Sequence, residues 1–239
     1  MSLTPPDTHK SIYEDGTYLA SNPTWHMEDS VWKAQRILAM MTKNQLTPSS
    51  ICEIGCGAGE VLSWLHDHLP GHTRFTGYEI APEAYAECTK RAKDRLEYFL
   101  MDPLNGNVPR SDLLLLIDVF EHVEDYMGFL RRLRMIGRHA IFHIPLDLSA
   151  QTVFRADPLI EQRRQLGHLH YFTKDTALAT LRDTGYEIID WFYTSGATEL
   201  PARSLKSGLL RIPRKALFRW RSDLAARLLG RYSIMVLAG

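Results

Sequence analysis

Short apolar runs alternate with helical patterns five times between Ile51 and Pro145 of this 239-residue chain. The runs predict strands at 51–54, 74–80, 98–100, 113–117 and 139–144, and the helical patterns predict helices at 29–41, 61–69, 83–93 and 125–136. Such alternation implies an α/β fold with a mostly parallel sheet and right-handed crossovers. The fourth run, Leu113 to Ile117, is unbroken, which predicts a strand buried on both faces.

The rest of the chain carries fewer regular patterns. A loop rich in charge and histidine precedes a helix predicted at 173–184, which Gly185 ends, and a strand predicted at 186–193. The segment 194–231 has no regular strand signal, and a last strand follows at 232–238. Because 239 residues are few for two full domains, we expect one domain. Its parts are an N-terminal lid and helix at 1–47, a core sheet at 48–193 and 232–239, and an insertion at 194–231.

The composition of the chain limits which cellular compartment and which classes of binding partner are expected. The 28 basic residues balance the 28 acidic ones, so no general attraction to nucleic acid is indicated. The three cysteines form no CxxC pair, which fits a reducing cytoplasm better than a disulfide framework. The N-terminus lacks the apolar core of a signal peptide, and no run approaches the roughly 18 apolar residues of a membrane span. We therefore expect a soluble, cytoplasmic protein.

Three glycines, at positions 55, 57 and 59, join the first predicted strand to the next helix. Backbone N–H groups at such a junction face a ligand without obstruction by side chains, and that ligand is often a phosphate. A dinucleotide fingerprint reads GxGxxG, but Glu60 stands here in place of its third glycine. Glu53 adds a second carboxylate, which suits a cationic ligand such as S-adenosylmethionine better than a pyrophosphate. A tight turn without a ligand is the alternative.

Two further acids end predicted strands, at the edge where ligands collect in open α/β sheets. Glu79 ends the second strand, 24 residues after Gly55, near the usual spacing for a carboxylate that binds ribose hydroxyls. Asp102 follows the third strand and would accept from an adenine amino group while Met101 packs against the ring. For either acid alone, a helix cap or a solvated loop is an equal alternative.

The glycine segment and these acids resemble the class I S-adenosylmethionine-dependent methyltransferase superfamily. The resemblance covers roughly residues 50–193 and the last strand, and is strongest to the small-molecule branch that includes the O-methyltransferases of ubiquinone synthesis. It implies a Rossmann-like, seven-stranded, mostly parallel sheet with helices on both faces and an antiparallel last strand. It also implies S-adenosyl-L-methionine as cofactor, with S-adenosyl-L-homocysteine as product. The residues assigned to the cofactor are Glu53, Gly55, Cys56, Gly57, Glu79, Ile80, Asp102, Asp118 and Val119.

The segment from Asp118 to Glu124 resembles the family's Asp/Glu-x-x-Glu-His-Val stretch after the fourth strand. Methyl transfer is an in-line displacement, so the enzyme aligns the acceptor and, for a hydroxyl, removes its proton. We predict His122 as that base, because its neutral form is largely present at pH 7. Shaping the pocket through a backbone hydrogen bond is the alternative role. No metal is expected, although Asp118, Glu121 and His122 match the divalent-cation ligands of ubiquinone-pathway relatives.

Further histidines are expected on the same face, namely His143 at the end of the fifth strand and the pair His168 and His170 in a loop. They would bind the acceptor or supply the base, but packing and helix capping explain the segment 168–173 better. At the front of the chain, Lys33 or Arg36 would pair with the cofactor carboxylate, or lie in solvent. The aromatic lead-in to the first helix is expected to cover the cofactor, and it comprises Tyr13, Tyr18, Trp25 and His26.

The insertion 194–231 combines nine basic residues with two acidic ones and many leucines, a net charge of +7. An amphipathic basic segment of this kind suits anionic lipid or a phosphate-bearing acceptor, so peripheral membrane contact through 203–231 is one prediction. A helical cap on the acceptor pocket or a dimer contact is the alternative. We therefore predict a methyltransferase for a small-molecule or lipid-linked acceptor, with oxygen favoured. A non-catalytic cofactor-binding protein and an NAD-dependent oxidoreductase are the alternatives.

Overall fold

A computed structural model describes residues 27–106, 108–155, 157–200 and 205–239. Its strands are β1 Ser50–Ile54, β2 Arg74–Glu79, β3 Leu96–Leu100, β4 Ser111–Ile117, β5 Gly137–Leu146, β6 Ile188–Thr194 and β7 Tyr232–Ala238. Its helices are α1 Met27–Lys43, α2 Glu60–His68, α3 Pro82–Cys88, α4 Tyr126–Leu133, α5 Ala150–Arg155, α6 Asp157–Gln165, α7 Lys174–Asp183, α8 Gly196–Glu199, α9 Leu205–Trp220 and α10 Ser222–Leu229. Single 3-10 turns lie at Thr89–Arg91 and Phe120–His122.

These strands form one seven-stranded sheet in the order β3-β2-β1-β4-β5-β7-β6. The five strands β1 to β5 are parallel, and β7 lies antiparallel between β5 and β6. The predicted mostly parallel sheet with an antiparallel last strand is therefore confirmed. The strand order reverses between β1 and β4, so the loops that follow these two strands leave the carboxyl edge side by side. A crevice at such a reversal is where open α/β sheets bind ligands.

Apolar residues cover both faces of the sheet. Helices α1 and α2 pack on one face through residues such as Met40 and Leu62, and helices α4, α7 and α10 pack on the other. In β4, Leu113 and Leu115 belong to the first cluster, whereas Leu114 and Leu116 belong to the second. Burial on both faces explains why the fourth apolar run is unbroken.

Several element boundaries differ from the predictions for local reasons. Helix α3 stops at Cys88 and gives way to a 3-10 turn, so it is shorter than predicted. Helix α4 begins after Asp125, whose side chain caps it by accepting from the Gly128 N–H at 2.9 Å. Strand β5 runs through Pro145 instead of ending there. After His143 it pairs only with β7, and proline is tolerated where one flank of a strand is unpaired.

The carboxyl-terminal part contains helices that the sequence did not reveal. The loop predicted before residue 173 includes α5 and α6, and the insertion includes α8, α9 and α10. Helix α7 follows the prediction closely, because Thr173 forms a capping box with Thr176. Tyr13, Tyr18, Trp25, His26 and Arg203 lie outside the described residues. Among the described helices, none has the length and apolar character that crossing a membrane requires.

Candidate active site

A cavity of about 630 Å³ opens at the carboxyl edge of the parallel strands. It lies at the reversal of strand order, between the loops that follow β1 and β4. The structure brings into its lining all ten residues predicted for cofactor binding and catalysis. They are Glu53, Gly55, Cys56, Gly57, Glu79, Ile80, Asp102, Asp118, Val119 and His122.

The glycine loop depends on backbone conformations that other residues rarely adopt. Gly57 has a φ of 53° and Gly59 a φ of 81°, both in the left-handed region. A Cβ on Gly59 would lie 2.7 Å from the Tyr98 hydroxyl, which itself donates to the Gly59 carbonyl at 2.9 Å. A Cβ on Gly57 would meet nothing within 4 Å. Gly59 therefore allows close packing behind the loop, and Gly57 leaves space on the cavity side for a ligand.

Glu79 braces the glycine loop from the end of β2. Its Oε2 accepts from the Gly57 N–H at 2.8 Å, and its Oε1 accepts from the N–H groups of Ile80 and Ala81 at 2.7 and 2.9 Å. Burial raises the pKa of Glu79, while these three N–H donors favour the charged form. Each carboxylate oxygen has two acceptor sites, so Oε2 keeps one for a ligand hydroxyl.

Glu53 is a buried acid, and one of its carboxylate oxygens is an unsatisfied hydrogen-bond acceptor. It is 2% exposed, and its Oε2 has no hydrogen-bond partner among the described residues. Burial raises its pKa well above the usual range, repulsion from Glu79 adds to the rise, and the charge of Lys33 opposes it. A buried polar atom without a partner costs free energy unless a ligand satisfies it. Glu53 thus fits a cationic or N–H-bearing group bound in the cavity.

Asp118 joins the ends of β4 and β5 to helix α1. Its Oδ2 lies 2.9 Å from the Lys33 Nζ, and its Oδ1 lies 2.6 Å from the His143 Nδ1. Burial works against the charged forms, but the charges and hydrogen bonds of His143 and Lys33 hold the pKa of Asp118 well below its usual range. The same contacts raise the pKa of Lys33 although burial opposes its charge. Asp118 also has a left-handed φ of 55°, a strained conformation that this network holds in place.

The two cations expected to meet the cofactor carboxylate are paired within the chain. Lys33 contacts Asp29 at 3.1 Å in addition to Asp118, and Arg36 lies 3.6 Å from Glu199. His143 is also engaged on both ring nitrogens, because its Nε2 lies 2.9 Å from the Thr194 hydroxyl. These side chains hold α1 and β6 against the site.

His122 stands beside a second histidine in the cavity lining. Its ring meets the His168 ring edge to face, with centroids 4.8 Å apart. The Nδ1 of His168 lies 2.6 Å from the Asp147 Oδ2, and the Asp147 Oδ1 accepts from the Gln162 amide at 2.9 Å. In the tautomer whose Nδ1–H donates a hydrogen bond to Asp147, the Nε2 of His168 is left as an acceptor. The sequence analysis interpreted segment 168–173 as packing and capping, and the contact of the His170 Nε2 with the Val123 carbonyl oxygen at 2.9 Å agrees with that interpretation. It did not foresee the contact between His168 and Asp147.

Glu121 lies under the two histidines and is completely buried. Neither of its carboxylate oxygens has a hydrogen-bond partner among the described residues, and burial with the nearby charge of Asp118 raises its pKa well above the usual range. Potential ligand atoms of Glu121, His122 and His168 lie within 4.8 Å of one another. Among the described residues these three form the cluster that could hold a metal ion, whereas Asp118 is engaged by Lys33 and His143.

Two further acids near the glycine loop have partners within the chain. Asp102 lines the cavity, but its carboxylate accepts from the Leu104 N–H at 2.9 Å and from the Asn105 amide at 3.1 Å, so it shapes the loop after β3. Glu60 is outside the cavity lining and pairs with Arg91. The acidity near the glycine loop therefore comes from Glu53 and Glu79.

The sequence reasoning missed Asp147 and Trp32. Asp147 follows β5 directly, at the edge where Glu79 and Asp118 also lie, but a strand that ended at Pro145 would have left it in a loop. Its position after the fifth strand was the signal that could have found it. Trp32 lines the cavity from α1, and its indole N–H donates to Glu199 at 2.8 Å.

Comparisons with known proteins agree with this architecture. Residues 26–190 match a family model, Methyltransf_23, described as a methyltransferase domain. Over 104 residues the chain is 30% identical to the bifunctional methionine biosynthesis protein MetXA/MetW of Rhodopirellula baltica, a match that spans 41% of this chain and 17% of that protein.

Solved structures with low sequence identity share the fold. Magnesium protoporphyrin IX methyltransferase (ChlM) from Synechocystis PCC 6803 with bound SAM has a TM-score of 0.61 and 14% identity, over 99% of each chain. N-methyltransferase NodS from Bradyrhizobium japonicum WM9, in complex with S-adenosyl-L-homocysteine, has a TM-score of 0.53 and 16% identity, over 86% of this chain and 84% of that one. Because the family model covers most of the sequence, this chain belongs to the methyltransferase-domain family.

Proposed function

We propose that this chain is an S-adenosylmethionine-dependent methyltransferase that methylates a hydroxyl oxygen of a small-molecule or lipid-linked acceptor, with His122 as the general base. The observation that carries the proposal is the position of His122 in the cavity lining, against the buried pair of His168 and Asp147. The glycine loop and its acids line the same cavity. One cavity thus combines residues suited to binding the cofactor with a group of titratable residues suited to proton transfer.

The residues of the cofactor half fit S-adenosylmethionine. When bound, it supplies an electrophilic methyl group, whose bond to sulfur breaks as the bond to the acceptor oxygen forms. The unpartnered Oε2 of Glu53 and the open space at Gly57 suit its cationic methionine part. We assign the methionine part to Glu53, Gly55, Cys56 and Gly57, the ribose to Glu79 and Ile80, the adenine to Asp102, and the sulfur end to Asp118 and Val119.

His122 would remove the proton of the acceptor hydroxyl, and His168 would help to orient the acceptor. His122 takes the hydroxyl proton on a ring nitrogen as the oxygen attacks, and it releases the proton to solvent after the product leaves. The Nε2 of His168 accepts a hydrogen bond from a second donor group of the acceptor and orients it, while Asp147 fixes the tautomer of His168. Nitrogen is the second candidate acceptor atom, because Glu124 and Asp125 in the cavity lining would attract an amine.

The test is a screen with methyl-labelled S-adenosylmethionine against phenols, carboxylic acids, amines and prenylated phenols. We expect label in an ether, which is stable to base, or in an ester, which base releases. His122→Ala should retain calorimetric binding of S-adenosylmethionine and lose product formation by about 100-fold or more. His139→Ala is the matched control, since His139 lies at the amino end of β5, away from the cavity.

Three outcomes would overturn parts of the proposal. An unchanged rate for His122→Ala would remove the base. Label found only on nitrogen would favour the second candidate. Tight cofactor binding with no labelled product, in the screen and in a metabolite extract, would favour a non-catalytic cofactor-binding protein.

A further inference from the structure

Four helices lie together at the end of the sheet where the cavity opens. Helix α5 follows β5 and helix α10 precedes β7, and these strands meet at the pair Leu146 and Tyr232. A Cβ on Gly230, just after α10, would lie 2.7 Å from the Ser149 hydroxyl, just before α5. Helices α6 and α9 pack against α5 and α10 respectively. We name α5, α6, α9 and α10 the helical cap.

The helical cap continues to the rim of the cavity. Leu166, directly after α6, lines the cavity. A surface that binds the helical cap would therefore lie next to the entrance for the acceptor.

Large apolar side chains of the helical cap point into solvent. Phe154 is 90% exposed and Trp220 is 73% exposed. Every helix of the cap contributes to this group, which comprises Val153, Phe154, Ile160, Ile212, Trp220, Leu224 and Leu228. Single exposed apolar residues are normal on a protein surface, but a group on adjoining helices marks an interaction site.

The segments that form the helical cap carry an excess of positive charge. Residues 150–165 and 205–231 hold eleven basic and three acidic residues, a net charge of +8, whereas the whole chain is neutral. Four exposed cations, Lys215, Arg219, Arg221 and Arg231, make no ion pair within the described part of the chain. Arg221 lies over the Trp220 ring, with its guanidinium carbon 5.4 Å from the ring centroid. The cap thus combines aromatic side chains with cations that have no ion-pair partner among the described residues.

We infer that the helical cap binds the surface of a membrane that contains anionic phospholipid. Short amphipathic helices with arginine beside tryptophan and phenylalanine suit the boundary between headgroups and acyl chains. There, phosphates neutralise the cations while Phe154 and Trp220 enter the apolar layer. A protein partner would have to supply an acidic group for each of these cations, whereas an anionic membrane offers phosphates over its whole surface. The inference goes beyond the proposed function and does not depend on the identity of the acceptor. If the acceptor is lipid-linked, a membrane bound to the helical cap would hold it next to the cavity.

Flotation of the full chain with vesicles tests the inference. We expect binding to vesicles of equal parts phosphatidylcholine and phosphatidylglycerol, little binding to phosphatidylcholine alone, and loss of binding at about 0.5 M salt. The variant with Phe154→Asp and Trp220→Asp should bind at least about tenfold more weakly. Met135→Asp is its matched control, because Met135 is 78% exposed but lies at the opposite edge, just before β5.

A second pair of variants tests the electrostatic part. Reversing Arg219 and Arg221 to Glu removes two attractive cations, each worth about fivefold in binding, so we expect at least about 25-fold weaker binding. Arg138→Glu, an exposed charge reversal at the start of β5, should have no effect. Calorimetric binding of S-adenosylmethionine should be unchanged in all these variants, which shows that they fold.

The inference fails if the helical-cap variants bind vesicles as the wild type does, or if the wild type binds neither vesicle. It also fails if light scattering shows a dimer that the Phe154 and Trp220 substitutions dissociate, because the cap is then an interface between copies of the chain. Vesicle binding is measured without an acceptor. If the protein binds vesicles but methylates no acceptor, the membrane-binding inference is supported and only the proposed function fails.

Discussion

Replacing Glu53 with glutamine should stabilise the ligand-free protein and weaken cofactor binding. Glu53 is 2% exposed, and its Oε2 has no partner among the described residues. A neutral amide avoids most of the cost of burying an unpartnered carboxylate, so Glu53→Gln should raise the free energy of unfolding by about 1–3 kcal/mol. Urea unfolding of the ligand-free protein measures this gain.

The loss on the binding side follows from the same carboxylate. A hydrogen bond from a ligand ammonium to an ionised acceptor contributes about 1.5–3 kcal/mol. Glu53→Gln should therefore raise the Kd for S-adenosylmethionine by about 10- to 150-fold, as measured by calorimetry. The Kd for S-adenosylhomocysteine should rise similarly, because both molecules carry the α-ammonium group.

The stability gain should depend on pH with a defined sign. Burial holds the pKa of Glu53 above its unfolded value, so the folded chain keeps a proton that the unfolded chain loses. The stability of the wild-type protein therefore falls as the pH rises from about 4 towards the folded pKa. Glu53→Gln lacks this fall, so the difference between the two proteins should be small near pH 4 and largest at neutral pH.

Glu60→Gln is the matched control for this experiment. Glu60 follows the same glycine loop but pairs with Arg91 outside the cavity lining. It should change the free energy of unfolding by less than about 1 kcal/mol and leave cofactor affinity unchanged. The reasoning is refuted if Glu53→Gln binds S-adenosylmethionine as tightly as the wild type, or if it lowers the stability of the ligand-free protein.

Three other substitutions probe the site. Gly59→Ala should lower the free energy of unfolding by about 2 kcal/mol, because φ is 81° and the Cβ would clash with Tyr98; an unchanged urea midpoint would contradict this. Lys33→Met leaves Asp118 with His143 alone and should cost about 2 kcal/mol in the same assay, whereas no loss would show that the ion pair is not stabilising. Because the pKa of Asp118 is depressed, its contribution to stability is present above about pH 4 and is lost as the pH falls further. Asp118→Asn should therefore flatten the acid side of the stability profile, and an unchanged profile would argue against the network.

The sequence predicted those parts of the molecule whose signals are local. Burial on both faces makes Leu113 to Ile117 uniformly apolar, and the glycine loop needs glycine at the left-handed positions 57 and 59. Because parallel strands end at one edge, their positions also placed Glu79 and Asp118 together. Chain order thus predicted the parallel strands, whereas the antiparallel last strand and most of the cavity-lining residues were assigned from the family resemblance.

Features that depend on packing could not be predicted in this way. Helices α5 and α6 contain no buried residue among those described, so they lack the apolar periodicity that marks a helix. The partners of Asp118 are set by the fold, since Lys33 belongs to α1 and His143 lies 25 residues further along the chain. Asp147 was missed because Pro145 was taken as the end of β5. A side chain's type is visible in sequence, but its partner is not.

The position of β7 has a consequence for synthesis on the ribosome. Strands β5 and β6 are made before the strand that separates them, and 37 residues lie between Thr194 and Tyr232. At about 5–20 residues per second, roughly 2 to 7 seconds pass before β7 begins to be made. During this interval β6 has no inner neighbour, and direct pairing of β6 with β5 would occupy the place of β7. Slower translation of the insertion would prolong the period in which this misfolding competes with the native order.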